Sequence, residues 1–160
     1  MASKPVAVKV RRATVRDAKR LSALNADVQA VHANALPARF KAAGSFPKTA
    51  AAELLAPTEN MVFIGYVGRN PAGYVYAEVI GRPETSLTYA YQAIHVHYLS
   101  VGPQHRRKGV GTSLLEAVRA EGLKLGITLV TTDVWSFNDA AQSFFRRRGF
   151  TQYVERLWRE

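Results

Sequence analysis

His95-Val96-His97-Tyr98-Leu99-Ser100-Val101, continuing as Gly102-Pro103-Gln104-His105-Arg106-Arg107-Lys108-Gly109-Val110-Gly111-Thr112, is the stretch on which the reading of this chain turns. Residues 94–101 read as a strand, and from Gly109 onward Val110, Leu114, Leu115, Val118 and Leu125 recur at helical spacing. Between them lies a basic turn that opens a helix. The first turn of a helix leaves backbone N–H groups unpaired and adds the positive end of the helix dipole, while Gly109 and Gly111 carry no side chain to block close approach. A diphosphate suits that geometry, with Arg106, Arg107 and Lys108 as point charges around it. Two other phosphate loops fail on spacing. The dinucleotide fingerprint would need glycine where Leu114 stands and no Pro103 to Lys108 insertion, and no Gly-Lys-Ser/Thr is present.

Working outward, Val6, Val8 and Val10 alternate with Ala7, Lys9 and Arg11, which predicts a strand over 6–12. Thr14-Val15-Arg16-Asp17 has the form of a helix start, and Ala18, Leu21, Leu24, Val28 and Val31 then predict a helix of about five turns. Pro37, Gly44 and Pro47 break the pattern over 34–48, and a short helix follows at 49–55. Residues 61–67 and 73–80 form a predicted antiparallel hairpin connected by 68–72, followed by a polar, Tyr-rich excursion over 81–92. A strand at 127–135, a helix at 138–147 ended by Gly149, and one or two closing strands in 151–158 complete the order. The sum is a mixed α/β fold.

With 160 residues and 48% hydrophobic content, the expectation is one domain over 1–160 with its own core, not a disordered tail. Lys and Arg number 22 against 12 Asp and Glu, a net charge of +10 that calls for an anionic partner: nucleic acid, a membrane surface or a polyphosphorylated small molecule. The absence of cysteine removes disulfides, thiolate metal sites and a cysteine nucleophile, and gives no argument for an oxidising compartment. No apolar run approaches the ~18 residues of a spanning helix, and residues 1–5 lead into no signal-peptide core. A cytoplasmic protein with no membrane partner is the expectation.

Arg106-Arg107-Lys108-Gly109-Val110-Gly111 has the form Gln/Arg-x-x-Gly-x-Gly/Ala and is preceded by Leu99-Ser100-Val101-Gly102-Pro103. Further on stand Asp133-Val134-Trp135-Ser136-Phe137-Asn138-Asp139-Ala140-Ala141, Phe144-Phe145 and Gly149-Phe150. In these motifs and their order the chain resembles the GNAT family of N-acetyltransferases. The resemblance implies a mostly antiparallel sheet splayed between strands four and five and flanked by about four helices. It implies acetyl-coenzyme A as the acyl-CoA donor, with its pyrophosphate at the loop of Arg106, Arg107, Lys108, Gly109, Val110, Gly111 and Thr112. Leu99, Ser100 and Val101 would follow the pantetheine arm, with the Leu99 N–H toward the thioester oxygen, and Asn138, Ala141, Phe144 and Phe145 would border the thiol end. The positive charge then has a small-molecule explanation. The acceptor amine is unspecified; residues 32–46 and 83–92, with His32, Phe40, Tyr89 and Tyr91, are its candidate surroundings. Dimers are common in the family, so a homodimer is compatible with the resemblance.

Acetyl transfer needs a neutral amine, a stabilised acyl oxygen and a tolerable leaving thiolate. A free amine near pKa 10.4 is protonated at neutral pH, so a base is required, and His95 and His97 suit it. Their i, i+2 spacing puts them on one strand face with Leu99, provided no bulge intervenes. The His-x-His strand resembles that of serotonin N-acetyltransferase, where the paired histidines remove the proton. Two other readings stand: one packed and one solvent-facing histidine, or half of a zinc site lacking nearby further ligands. Many family members carry Tyr at the place of Phe145 to protonate the thiolate; Phe145 cannot, and Tyr98 or Tyr153 would have to substitute. With no cysteine for an acyl-enzyme, transfer within a ternary complex is expected. Competing functions are a noncatalytic acyl-CoA sensor, suggested by Phe145, and a nucleic-acid module, suggested by Arg11-Arg12, Arg106 to Lys108 and Arg146-Arg147-Arg148 but lacking any nucleic-acid motif. The last cluster reads as an exposed helix end.

Overall fold

The period-2 residues of the strands dictate how the chain folds in two directions at once. In β2 (Met61–Val67) the side chains of Met61 and Phe63 join one buried cluster and those of Val62 and Ile64 another, so the strand is covered on both faces. The computed structural model describes residues 7–42, 44 and 46–159. Its elements are β1 (Val8–Arg12), α1 (Ala18–Ala35), α2 (Lys48–Leu55), β2, β3 (Asn70–Arg82), β4 (Tyr91–Val101), α3 (Val110–Lys124), β5 (Val130–Thr132) and α4 (Asp139–Arg146). The sheet order is β1-β2-β3-β4-β5, antiparallel throughout except for the parallel pairing of β4 with β5.

One face of the sheet holds α3, whose Val110, Leu114, Leu115 and Val118 pack with Phe63, Val75, Ile94 and Val96. Each such side chain, fully removed from water, contributes about 1.5–3 kcal/mol. The other face holds α1 and α2, with Leu21, Ala51 and Leu55 against Ile64 and Tyr74. Two polar pins fix α1 there. The buried Tyr74 hydroxyl donates to Asn25 Oδ1 at 2.6 Å, and the Ser100 hydroxyl donates to the Leu24 carbonyl at 2.9 Å. Burial pushes the Tyr74 phenol far above its usual value, so it stays a donor. No described helix is long and apolar enough to cross a membrane.

Several boundaries depart from expectation for identifiable reasons. Val6, the first residue of the expected opening strand, lies outside the described residues. The hairpin turn is tighter than 68–72: Gly68 at φ +62 and Arg69 make it, and β3 already includes Asn70 to Ala72. Pro71, opposite Tyr66, is accommodated where the register shifts between Gly65 and Tyr66, since a proline donates nothing to the ladder. Leu125 is not on the buried stripe of α3; it lies past the helix end and is exposed. The strand expected at 127–135 is only Val130–Thr132. The closing strands expected in 151–158 are absent among the described residues: Tyr153-Val154 and Leu157-Trp158 come as adjacent pairs, not alternate positions, so no single sheet face collects them, and all four are exposed.

Candidate active site at the splay of β4 and β5

The pairing of β4 with β5 runs only from Ile94↔Val130 to Val96↔Thr132. Beyond it the chain from Asp133 leaves the sheet and turns into α4, whose first turn is capped by Asn138 Oδ1 accepting from the Ala141 N–H at 3.1 Å. The strands therefore part, and a narrow cleft of about 60 Å³ opens between them. His97, Tyr98, Leu99, Asn138, Ala141 and Phe145 line it, together with His32, Asp133 and Trp135.

A bulge in β4 decides which residues face where. Tyr98 pairs with Tyr76 and Val96 with Ala77, so His97 is the extra residue with no cross-strand partner. Before it Ile94 and Val96 point into the α3 core; after it Leu99 and Val101 do, while Ser100 points to α1. The common face expected for His95, His97 and Leu99 is thus broken at Leu99, because an extra residue inverts the alternation. The two histidines remain together, ring centroids 4.7 Å apart at 74°. His95 Nδ1 is 2.9 Å from Thr131 Oγ1 on β5, and His97 Nε2 is 2.7 Å from Glu78 Oε1 on β3. Tyr76 stacks on the His97 ring at 4.9 Å and its hydroxyl donates to Glu78 Oε2 at 3.4 Å. Burial, aided by the neighbouring His97, holds His95 below the ordinary histidine value, with Asp133 and Glu78 only partly opposing it. His95 is therefore neutral at pH 7 and able to accept a proton.

The basic loop begins with a 3-10 turn at Pro103–His105 and ends at Gly109, which takes φ +82 as the residue before α3. Arg107 also adopts a left-handed φ of +63, a conformation that costs an L residue about 1–2 kcal/mol and is held here by the loop around it. Val110, Gly111 and Thr112 present their N–H groups at the start of the helix. A Cβ on Gly111 would meet the Phe144 ring at 3.2 Å, so a larger residue there would push that ring back by a few tenths of an ångström. Arg106 Nε donates to the Val101 carbonyl at 3.3 Å and Lys108 Nζ to the Gln104 carbonyl at 2.9 Å. Neither, nor Arg107, meets a carboxylate among the described residues. Unpaired amides and unneutralised cations around a side-chain-free cradle are a donor set that fits a diphosphate.

Phe144 and Phe145 part company: Phe144 covers the loop at Gly111, whereas Phe145 is buried in the α3 core and lines the cleft. Of the two substitute hydroxyls, Tyr98 lines the cleft and Tyr153 lies in the exposed tail. Of the residues expected around the acceptor, His32 stacks on Phe40 at 4.9 Å, and Phe40 meets the Trp135 ring edge-on at 5.3 Å. Residues 83–92 go elsewhere. Pro83, Tyr91 and Gln92 border an open groove of about 700 Å³ with Gly126 to Leu129, at the other end of β4 from the basic loop. Sequence reasoning missed Glu78, Thr131 and Trp135 as site residues. Glu78 had a signal, a lone acid in the otherwise apolar and aromatic run from Tyr74 to Ile80; Thr131 had none.

A model of the acetyltransferase (GNAT) family matches residues 26–150. The chain belongs to the GNAT family. Among solved structures it is similar to a tetramutant of the BH1408 protein from Bacillus halodurans, with TM-score 0.89 and 18% identity over 95% of this chain and 99% of that one. It is also similar to the aminoglycoside N-acetyltransferase AAC(6')-Iy in complex with CoA, with TM-score 0.75 and 16% identity over 100% and 98% of the two chains. A third is an aminoglycoside acetyltransferase, meta-AAC0020, from an uncultured soil metagenomic sample in complex with sisomicin, with TM-score 0.67 and 17% identity over 96% and 95%. At these identities the likeness shows the fold. No curated protein matches the sequence. Membership of the family makes the protein an acetyltransferase by class.

Proposed function

We propose that the protein transfers an acetyl group from acetyl-coenzyme A to a primary amine, with donor and acceptor bound at once. The observation that carries this reading is the His95–His97 pair, anchored by Thr131 and Glu78, at the point where β4 and β5 part: His95 is the paired residue opposite Thr131, His97 lines the cleft, and the strand then runs into the anion-suited loop. The N–H groups of Val110, Gly111 and Thr112, with Arg106, Arg107 and Lys108, hold the diphosphate; the backbone at Leu99, Ser100 and Val101 forms one wall for the pantetheine arm, and Asn138, Ala141, Phe144 and Phe145 the other. When bound, acetyl-coenzyme A supplies an acyl carbon already activated as a thioester.

The histidines prepare the amine. A carboxylate only accepts hydrogen bonds, so the His97 ring places an N–H at Nε2 toward Glu78, which fixes the ring's orientation beside His95. His95, neutral because it is half-buried beside His97, takes or relays the ammonium proton. The Leu99 N–H stabilises the acyl oxygen. A thiol of pKa about 8.5 leaves near neutral pH without a strong acid, and Tyr98 is the hydroxyl in the cleft.

The test is thiol release from acetyl-coenzyme A against a panel of small amines, amino acids, aminoglycosides and peptide amines. With the best acceptor, joint replacement His95→Ala and His97→Ala should lower kcat/KM by about 100-fold or more and remove its acid limb. A pH–rate profile unchanged in the double variant refutes the assignment. One observation favours a second reading, a noncatalytic acyl-CoA sensor: the cleft wall carries Phe145, with no hydroxyl to serve a leaving thiolate. Tight coenzyme A binding with no turnover on any amine would select it.

A further inference from the structure

We propose that Arg148 binds a phosphate of the ADP portion of coenzyme A, an assignment that rests on the acyl-CoA reading above. In the sequence Arg146, Arg147 and Arg148 are one basic run on a helix end, but the fold separates them. The turn after α4, in which the Arg148 N–H donates to the Phe145 carbonyl at 2.9 Å, sends this side chain back toward the start of α3. There Nε and Nη2 donate to Thr112 Oγ1 at 3.0 and 2.5 Å, and the guanidinium lies 5.2 Å from the Phe144 ring centroid. Phe144 is the ring that covers Gly111. Arg148 thus stands over the same helix turn whose amides face the diphosphate.

Its partner is what marks it as a binding group. A guanidinium carries five N–H donors in a planar fork matched to phosphate, and Thr112 uses two of them without neutralising the charge. No carboxylate pairs with Arg148 among the described residues. Stacking on Phe144 and the hydroxyl contact hold the fork in place, so little rotamer freedom is lost when an anion arrives. Arg106 and Lys108, each tied to a carbonyl, add two more unneutralised cations at the same end of α3. A neutral anchor that orients a cation while leaving its charge intact is the arrangement an anion site needs.

The experiment is calorimetric titration of the full chain with coenzyme A, 3′-dephospho-coenzyme A and pantetheine, comparing wild type with Arg148→Ala, Arg148→Gln and Arg148→Lys. The Ala and Gln variants should bind coenzyme A about tenfold more weakly, Lys should recover part of the loss, and pantetheine affinity should not change. Gln retains a donor for Thr112 but no charge, so a merely structural Arg148 would be rescued by Gln, and that result overturns the proposal. If the loss disappears with 3′-dephospho-coenzyme A, the contact is to the 3′-phosphate; if it persists, to the diphosphate. Wild-type affinity in all three variants overturns the assignment alone. Absence of coenzyme A binding by folded wild type overturns the acyl-CoA reading and this assignment with it.

Discussion

Two clusters of arginine at different corners of the molecule use the same side chain for different ends. Beside β1 the buried carboxylate of Asp17 accepts from Arg11 Nη1 and Nη2 at 2.8 Å each, pairs with Arg20, and accepts from the Thr14 N–H at 3.0 Å. Around the start of α3, Arg106, Lys108 and Arg148 meet carbonyl or hydroxyl oxygens instead. In the first cluster both arginines are paired with a buried carboxylate inside the protein and serve the fold. In the second the charge is oriented but left whole, as the proposed anion site requires. A count of basic residues cannot tell these apart; their partners do.

The first way to break that comparison is to remove the carboxylate. Asp17→Asn keeps the shape but leaves Arg11 and Arg20 without a counter-charge and the Thr14 cap weakened. Because the arginines are nearly half exposed, at 46% and 42%, water screens part of the loss; destabilisation of about 2–3 kcal/mol is expected. That corresponds to a Tm lower by about 5–10 °C. Coenzyme A affinity of the folded variant should be that of wild type. A drop in affinity matching the drop in Tm would show that the two clusters are not separate.

How much of this was written in the sequence follows from the range of each interaction. The strand, loop and helix from Ile94 to Lys124 were legible because period-2 and helical spacing, a basic Gly-x-Gly and the helix start are local signals. The Thr14–Asp17 cap was legible for the same reason. The bulge at His97 was not, since it is defined by a register with β3 some twenty residues away, and with it went the facing of Leu99. Glu78 and Thr131 as partners of the histidines, and Arg148 as the partner of Thr112, are likewise contacts across elements. The tail after Phe150 misled for a different reason: strand-forming residue types were present without the alternation that lets a strand bury one face.

pH bears on both fold and chemistry. The hydrogen bonds from Arg11 hold the Asp17 carboxyl well below the usual carboxylate range, outweighing its burial. Its folded pKa lies below its unfolded one, so its contribution to stability is complete above about pH 4 and is lost as the pH falls further. His95 is also depressed, through burial, so the form that accepts a proton persists to the acid side of the ordinary histidine value of about 6.5 and then disappears. Activity should therefore decline on that side; because burial depresses both His95 and His32, the unfolded chain takes up those protons first and Tm falls gently over the same range, with a further fall as the carboxylate range is reached. Paired measurements of kcat/KM and Tm from pH 8 to 3 check this. An acid limb of kcat/KM that survives in the folded His95→Ala, His97→Ala double variant would remove the histidines from proton transfer.

The smallest expected effect sharpens the comparison most. Arg119 and Glu116 on α3 pair at 3.0 Å, i to i+3, with side chains 52% and 53% exposed, so by distance the pair is close to Arg11–Asp17 at 2.8 Å. Its surroundings differ: water competes for both partners, and holding two long side chains together costs conformational freedom. Glu116→Ala should then change stability by less than about 0.5 kcal/mol, readable as an unchanged denaturation midpoint, and leave coenzyme A affinity alone. Should it instead destabilise as much as Asp17→Asn, pairing itself and not burial of the carboxylate would set the value of an arginine contact. The contrast between the two clusters would then reduce to the presence or absence of an acid, and the 4% exposure of the Asp17 side chain would carry no weight.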